Sequence, residues 1–354
     1  MNLPTEPIGS IPRAPALIDA MRAFEVGRLD QAELARLGDE AVRETIAAFE
    51  ATGSPVVTDG EQTKPSFVTY PVHGLRNLEP DGVTISFADG HTRQLPRLSR
   101  GPFRYATYAA AYTEAARRHT QRRLKQAVIS SSALSLLYPA SGIPGYSKET
   151  FLEDLVREAE TDIRRALDAG ADKVQIDFTE GRLAVKLDPS LALLRTFIAL
   201  NNRVLDRFQD SERSRLGVHT CPGGDRDSTH SADVDYAQLL PSLFELRVGN
   251  FYIQLASEPD RPRVLGLIRA HLGRSQHVFI GVTDPIAQGV ETPEAIRDRV
   301  LEAARVIPVD QLGTTDDCGF APFADDSSTA RETAFAKIRA RVEGTELASR
   351  VLGV

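Results

Sequence analysis

The chain has 354 residues, 42% hydrophobic and 26% charged, with 42 basic and 49 acidic side chains for a net charge of −7. This excludes disordered, collagenous and coiled-coil chains and allows a large core. The acidic balance gives no general attraction to nucleic acid, no apolar run reaches the ~18 residues that span a bilayer, and the N-terminus shows no secretory pattern.

Eight short β-rich runs occur in chain order, at 7–11, 55–59, 127–131, 173–177, 216–220, 251–255, 277–281 and 311–315. From residue 127 onward they recur about every 37 residues, which leaves room for one strand, one helix and two loops. Between them, apolar positions three and four apart mark helices. Phe151, Leu155, Ala159 and Ile163 form one stripe, and Ile296, Val300, Ala303 and Val306 form another. Pro293 behind Thr292 is a helix start, and a last helix covers about 329–346. Eight such units predict a single (β/α)8 TIM barrel over residues 1–354. One stretch breaks the repeat. In 82–97, Val83, Ile85 and Phe87 alternate with polar residues before Asp89-Gly90, which predicts a β-hairpin inserted after the second strand.

Chemistry concentrates at two predicted strand ends. His219 and Cys221 are two apart, so they share one face of a strand. Cys318 follows the last predicted strand. Barrel enzymes build their sites on that rim. Two thiolates and an imidazole meeting there are three ligands for Zn²⁺ with a fourth position for substrate. The competing reading is two cysteines used as small apolar fillers beside a core histidine. With no disulfide framework, a cytoplasmic enzyme is expected.

His219-Thr-Cys221 and Asp317-Cys318-Gly319, taken with Ile8-Gly9-Ser10, Asp59-Gly60-Glu61 and Gln175-Ile176-Asp177, resemble the catalytic barrel of the cobalamin-independent methionine synthase superfamily. The similarity runs over essentially the whole chain and points to its single-barrel members, the core methionine synthases and the epoxyalkane:coenzyme M transferases. It implies that His219, Cys221 and Cys318 bind zinc. It also implies that the Ile8 and Ser10 segment holds the carboxylate of homocysteine, and that Glu61 and Asp177 hold its ammonium. Read from the residues alone, Glu61 instead pairs with a base such as Lys64, and Asp177 caps a loop. Where the family has a zinc-binding glutamate this chain has Gln254, with Glu258 four residues on as the other candidate.

Asp284 matches a family aspartate in the loop after the seventh strand, but Ile286 stands near the place of a histidine that serves folate chemistry. With no tryptophan for pterin stacking, the sequence favours a corrinoid protein or another small methyl donor over methyltetrahydrofolate. His230, in the polar loop after the fifth predicted strand, offers a general acid or else a plain surface histidine. The function expected from this resemblance is zinc-dependent methyl transfer to a thiol, most simply homocysteine. The alternatives are epoxide opening by a coenzyme M-type thiol and a non-catalytic barrel used as a binding module.

Overall fold

The computed structural model describes residues 2–225, 229–230 and 234–354, with the backbone alone at 224–225 and 229–230. Seven parallel strands form one curled sheet and lie side by side in chain order. They are β1 (Val56–Val57), β2 (Arg123–Ile129), β3 (Lys173–Asp177), β4 (Leu216–Thr220), β5 (Asn250–Ile253), β6 (His277–Thr283) and β7 (Leu312–Asp316). Parallel neighbours need crossover connections, and helices supply them. Lys148–Asp168 joins β2 to β3, and Pro293–Ala304 joins β6 to β7. Both helices start where the sequence places a hydroxyl. Ser147 accepts from the Thr150 N–H and Thr292 from the Ala295 N–H, each at 3.2 Å. The stripe of Phe151, Leu155, Ala159 and Ile163 is buried. The closing helix, Arg331–Leu352, runs beyond its predicted end.

The first predicted strand is not regular. Residues 7–11 form no ladder, because Pro7 has no N–H to give and Pro4 and Pro12 flank the segment. A single parallel bridge joins Thr5 to Thr314. Glu6 N–H donates to Thr314 O at 3.0 Å, and Thr314 N–H donates to Pro4 O at 2.9 Å. At the other end, Ile11 N–H reaches Gly60 O at 3.0 Å, and the Thr58 hydroxyl reaches Gly9 O at 2.8 Å. Segment 4–11 thus runs between the two edges of the sheet, an arrangement consistent with a TIM-like barrel.

Between β1 and β2, Thr84–Ser86 pairs antiparallel with Thr92–Gln94, and Leu78–Glu79 pairs with Arg97–Leu98. Gly90 turns the ribbon at φ +90° while the Asp89 carboxylate accepts from His91 N–H. The ribbon rests on the loop after β7. Arg93 pairs with Asp325 at 2.9 Å and covers the Phe323 ring at 4.4 Å.

A polar cluster lies inside the sheet toward the amino ends of its strands, where Lys173 and Asn250 are the first residues of β3 and β5. Lys173 Nζ donates to Glu6 at 2.7 Å and to Asn250 at 3.1 Å, and the Tyr252 hydroxyl donates to Glu6 at 2.6 Å. Lys125 Nζ sits 3.8 Å from the Tyr252 ring centre and 4.0 Å from Glu6, with no hydrogen-bond partner. Burial pushes this lysine down to about 7, against the pull of Glu6. No helix of the described residues is long and apolar enough to cross a membrane.

Candidate metal and thiol site

β4 ends at Thr220, so His219 and Cys221 leave the sheet on one face; β7 ends at Asp316 and delivers Cys318 beside them. Their ligand atoms all lie within 4.8 Å of one another, and the two sulfurs are 3.2 Å apart. The His219 Nδ1–H donates to Tyr252 O at 3.3 Å, which fixes the tautomer and leaves Nε2 as an acceptor. That Nε2 is buried and has no hydrogen-bond partner. A buried acceptor without a donor costs ~1–3 kcal/mol. The hydrogen bond from Cys318 holds Cys221 well below the usual thiol value, while the same contact raises Cys318. Burial works against a charged imidazole, yet the neighbouring Cys221 carries His219 above its ordinary value. An orphaned imidazole nitrogen, a thiolate and a second sulfur fit a soft divalent ion such as zinc.

These residues form one wall of a half-open pocket whose unfilled space, about 390 Å³, is continuous with solvent. Ile8, Ser10, Glu61 and Asp177 share its lining, as do Phe67 and Gln175. The Ser10 hydroxyl accepts from Ala321 N–H at 3.2 Å, so its own proton is free to donate. Gly319 leaves Ser10 its room, because a Cβ there would come within 2.1 Å of Ser10 Oγ. Asp177 accepts from the Gln175 amide at 2.8 Å, and burial pushes it up to about 6. Glu61 lies at φ +56° in a tight loop. The Arg13 guanidinium pins that loop through Glu61 O, Gln62 O and Lys64 O. Lys64 Nζ meets Glu61 at 3.0 Å, so the predicted ammonium site already holds one internal cation.

Of the remaining candidates, Glu258, Gln254 and Asp284 do not line that pocket. Glu258 is not in the His–Cys–Cys group; it pairs with the buried Arg182 at 2.8 Å. Gln254 is buried beside it, its Nε2 donating to Ser257 and its Oε1 without a partner. Asp284 is half-buried; its carboxylate accepts from Ile286 N–H at 2.9 Å, and it does not line the pocket. The His230 side chain lies outside the described residues. Sequence reasoning missed Ser257 as a partner of Gln254, and it missed the anchoring role of Asp317. Arg182 is buried with its guanidinium over the Tyr236 ring. Only the Asp-Cys dipeptide hinted at Asp317.

Fold and site together define an α/β protein that gathers two thiols and an imidazole at the carboxyl ends of a parallel sheet. Residues 3–343 match the family described as "Cobalamin-independent synthase, Catalytic domain". The chain therefore belongs to the cobalamin-independent synthase family, and it is a methyltransferase. It is 21% identical over 345 residues to a methionine synthase of Saccharolobus solfataricus, covering 98% of this chain and 94% of that one. It is 22% identical over 348 residues to the Bacillus subtilis protein YxjH, covering 94% and 91%. The fold matches a B12-independent methionine synthase from Shewanella sp. W3-18-1, solved with selenomethionine, at a TM-score of 0.78 and 19% identity over 100% of both chains. Family membership removes one expectation: a cobalamin-independent synthase takes no corrinoid protein as methyl donor.

Proposed function

We propose that this protein methylates a thiol substrate, homocysteine in the leading reading, at a zinc site formed by His219, Cys221, Cys318 and Gln254. The observation that carries the reading is the buried, unpartnered His219 Nε2 beside two sulfurs 3.2 Å apart. A zinc ion held there would lower the pKa of an incoming thiol and keep its sulfur nucleophilic at neutral pH. Ser10 donates its free hydroxyl proton to the substrate carboxylate, with the backbone at Ile8 alongside. Asp177 takes the ammonium, and Glu61 shares its charge between that ammonium and Lys64. Because Glu258 is spent on Arg182, the fourth metal position falls to Gln254. We keep Asp284 and His230 as the candidates for proton transfer.

One observation favours a second reading. Lys64 already offsets Glu61, which suits a thiol that carries no ammonium, such as a coenzyme M-type sulfonate opening an epoxide. Metal analysis with a panel of thiols separates the two. Under the first reading the purified protein holds one zinc, and X-ray absorption shows one additional Zn–S scatterer with homocysteine. A new scatterer only with the sulfonate thiol transfers the assignment to the second reading. Cys318→Ser should lose both metal and turnover; full zinc occupancy in that variant would remove Cys318 from the ligand set.

A further inference from the structure

Gln254 follows β5, and its backbone N–H continues the ladder to Thr220 O, so it stands level with Cys221 on the neighbouring strand. Its amide has two ends with different fates. Nε2 donates to the Ser257 hydroxyl at 2.5 Å, while Oε1 is buried with no partner. The Ser257 hydroxyl has one proton, and it gives that proton to Asp317 Oδ2 at 2.8 Å. Toward residue 254 it can therefore only accept. If the amide were turned round, two acceptors would face a hydroxyl whose proton is already committed.

Asp317 is held as firmly as the chain allows. It accepts from the N–H groups of Leu255, Ala256 and Ser257, each at 2.8 Å. Gly281 leaves room for it, since a Cβ there would approach Asp317 Oδ1 to 1.8 Å. Asp317 also adjoins Cys318. One carboxylate therefore fixes the loop that carries a sulfur and, through Ser257, the orientation of the amide on the next strand but one.

Resting on the zinc reading above, we infer that Asp317 and Ser257 are positioning residues: their relay turns the Gln254 amide so that Oε1 is presented to the metal as a neutral ligand, and it requires a side chain at 254 that can donate. A carboxylate at this place has no proton to give, so it could meet Ser257 only as an acceptor, by drawing the hydroxyl's proton away from Asp317.

The test is a double-mutant cycle read as zinc affinity, by competition with a chromophoric chelator, and as the visible spectrum of the cobalt-substituted protein. Asp317 anchors a whole loop, so Ser257→Ala takes its place; that variant keeps the backbone bond from residue 257 to Asp317. Loss of such a supporting contact should weaken zinc by about 10–100-fold. Gln254→Ala should weaken it at least as much. The double variant should bind no worse than Gln254→Ala alone, and the cobalt spectrum of Ser257→Ala should shift toward that of Gln254→Ala. If Ser257→Ala weakens zinc equally in both backgrounds, its role is general to the loop and the relay is refuted. Wild-type affinity in both single variants, with zinc still on two thiolates, refutes the relay and leaves the zinc reading standing. A wild-type protein that takes up no zinc overturns both.

Discussion

Replacing Lys125 with methionine should stabilise the protein, and by an amount that depends on pH. The ammonium lies in the sheet interior without a hydrogen-bond partner. Glu6 would not be orphaned by its loss, since Lys173 and the Tyr252 hydroxyl both remain bonded to it. Burial lowers Lys125 from its usual 10.5 to about 7. In the window between those values the unfolded chain binds a proton that the native chain does not, so this residue makes stability rise with pH and withdraws it as pH falls toward 7. Each tenfold change in a proton-binding constant is worth ~1.4 kcal/mol, so the contribution changes by about 2–3 kcal/mol between pH 7 and pH 9. Methionine fills a similar volume and has no such dependence. Urea unfolding of wild type and Lys125→Met across this range should show the variant clearly more stable at pH 7, with the gap narrowing by that amount at pH 9. Parallel curves, or a variant less stable at pH 7, would refute the account of an interior ammonium without a hydrogen-bond partner.

Three further outcomes follow from the site. Glu258→Gln should keep a full complement of zinc, because this carboxylate serves Arg182; loss of metal on elemental analysis would return Glu258 to the ligand set. Gly319→Ala forces a methyl group against Ser10 Oγ, so thermal melting should fall by the equivalent of ~1–3 kcal/mol and the KM for the thiol should rise while metal content holds. Burial places Asp177 at about 6, so binding of an amino thiol should weaken as pH falls through that value and the carboxyl becomes neutral. Calorimetric titration should show this dependence in wild type and not in Asp177→Asn.

Some of this is readable in the chain itself. The runs at 173–177 and 216–220 match β3 and β4 residue for residue, because buried parallel strands with polar flanks announce both ends. The segment at 7–11 departs from expectation for a local reason: its hydrophobic pattern is that of a strand, but its prolines remove the donors a ladder needs. His219, Cys221 and Cys318 can be grouped because each sits at the end of a recognisable strand, and strand ends converge. The pairing of Lys64 with Glu61 is open to inspection at a separation of three. The Arg182–Glu258 and Ser257–Asp317 contacts are hidden. The first joins a helix residue to a loop and the second joins two loops, and loops have no period from which to compute what they face.

The seam of the ring has a consequence of its own. Every other junction between neighbours is a backbone ladder, whereas here the closure relies on a few bonds and on Arg13, whose guanidinium also reaches Phe323 O at 3.0 Å. This strip between the sheet's two edges has no regular ladder, and Ile8 and Ser10 are part of it. A ligand clasped by those two residues would act as a rivet across the join, so the step that captures substrate would also tighten the whole vessel.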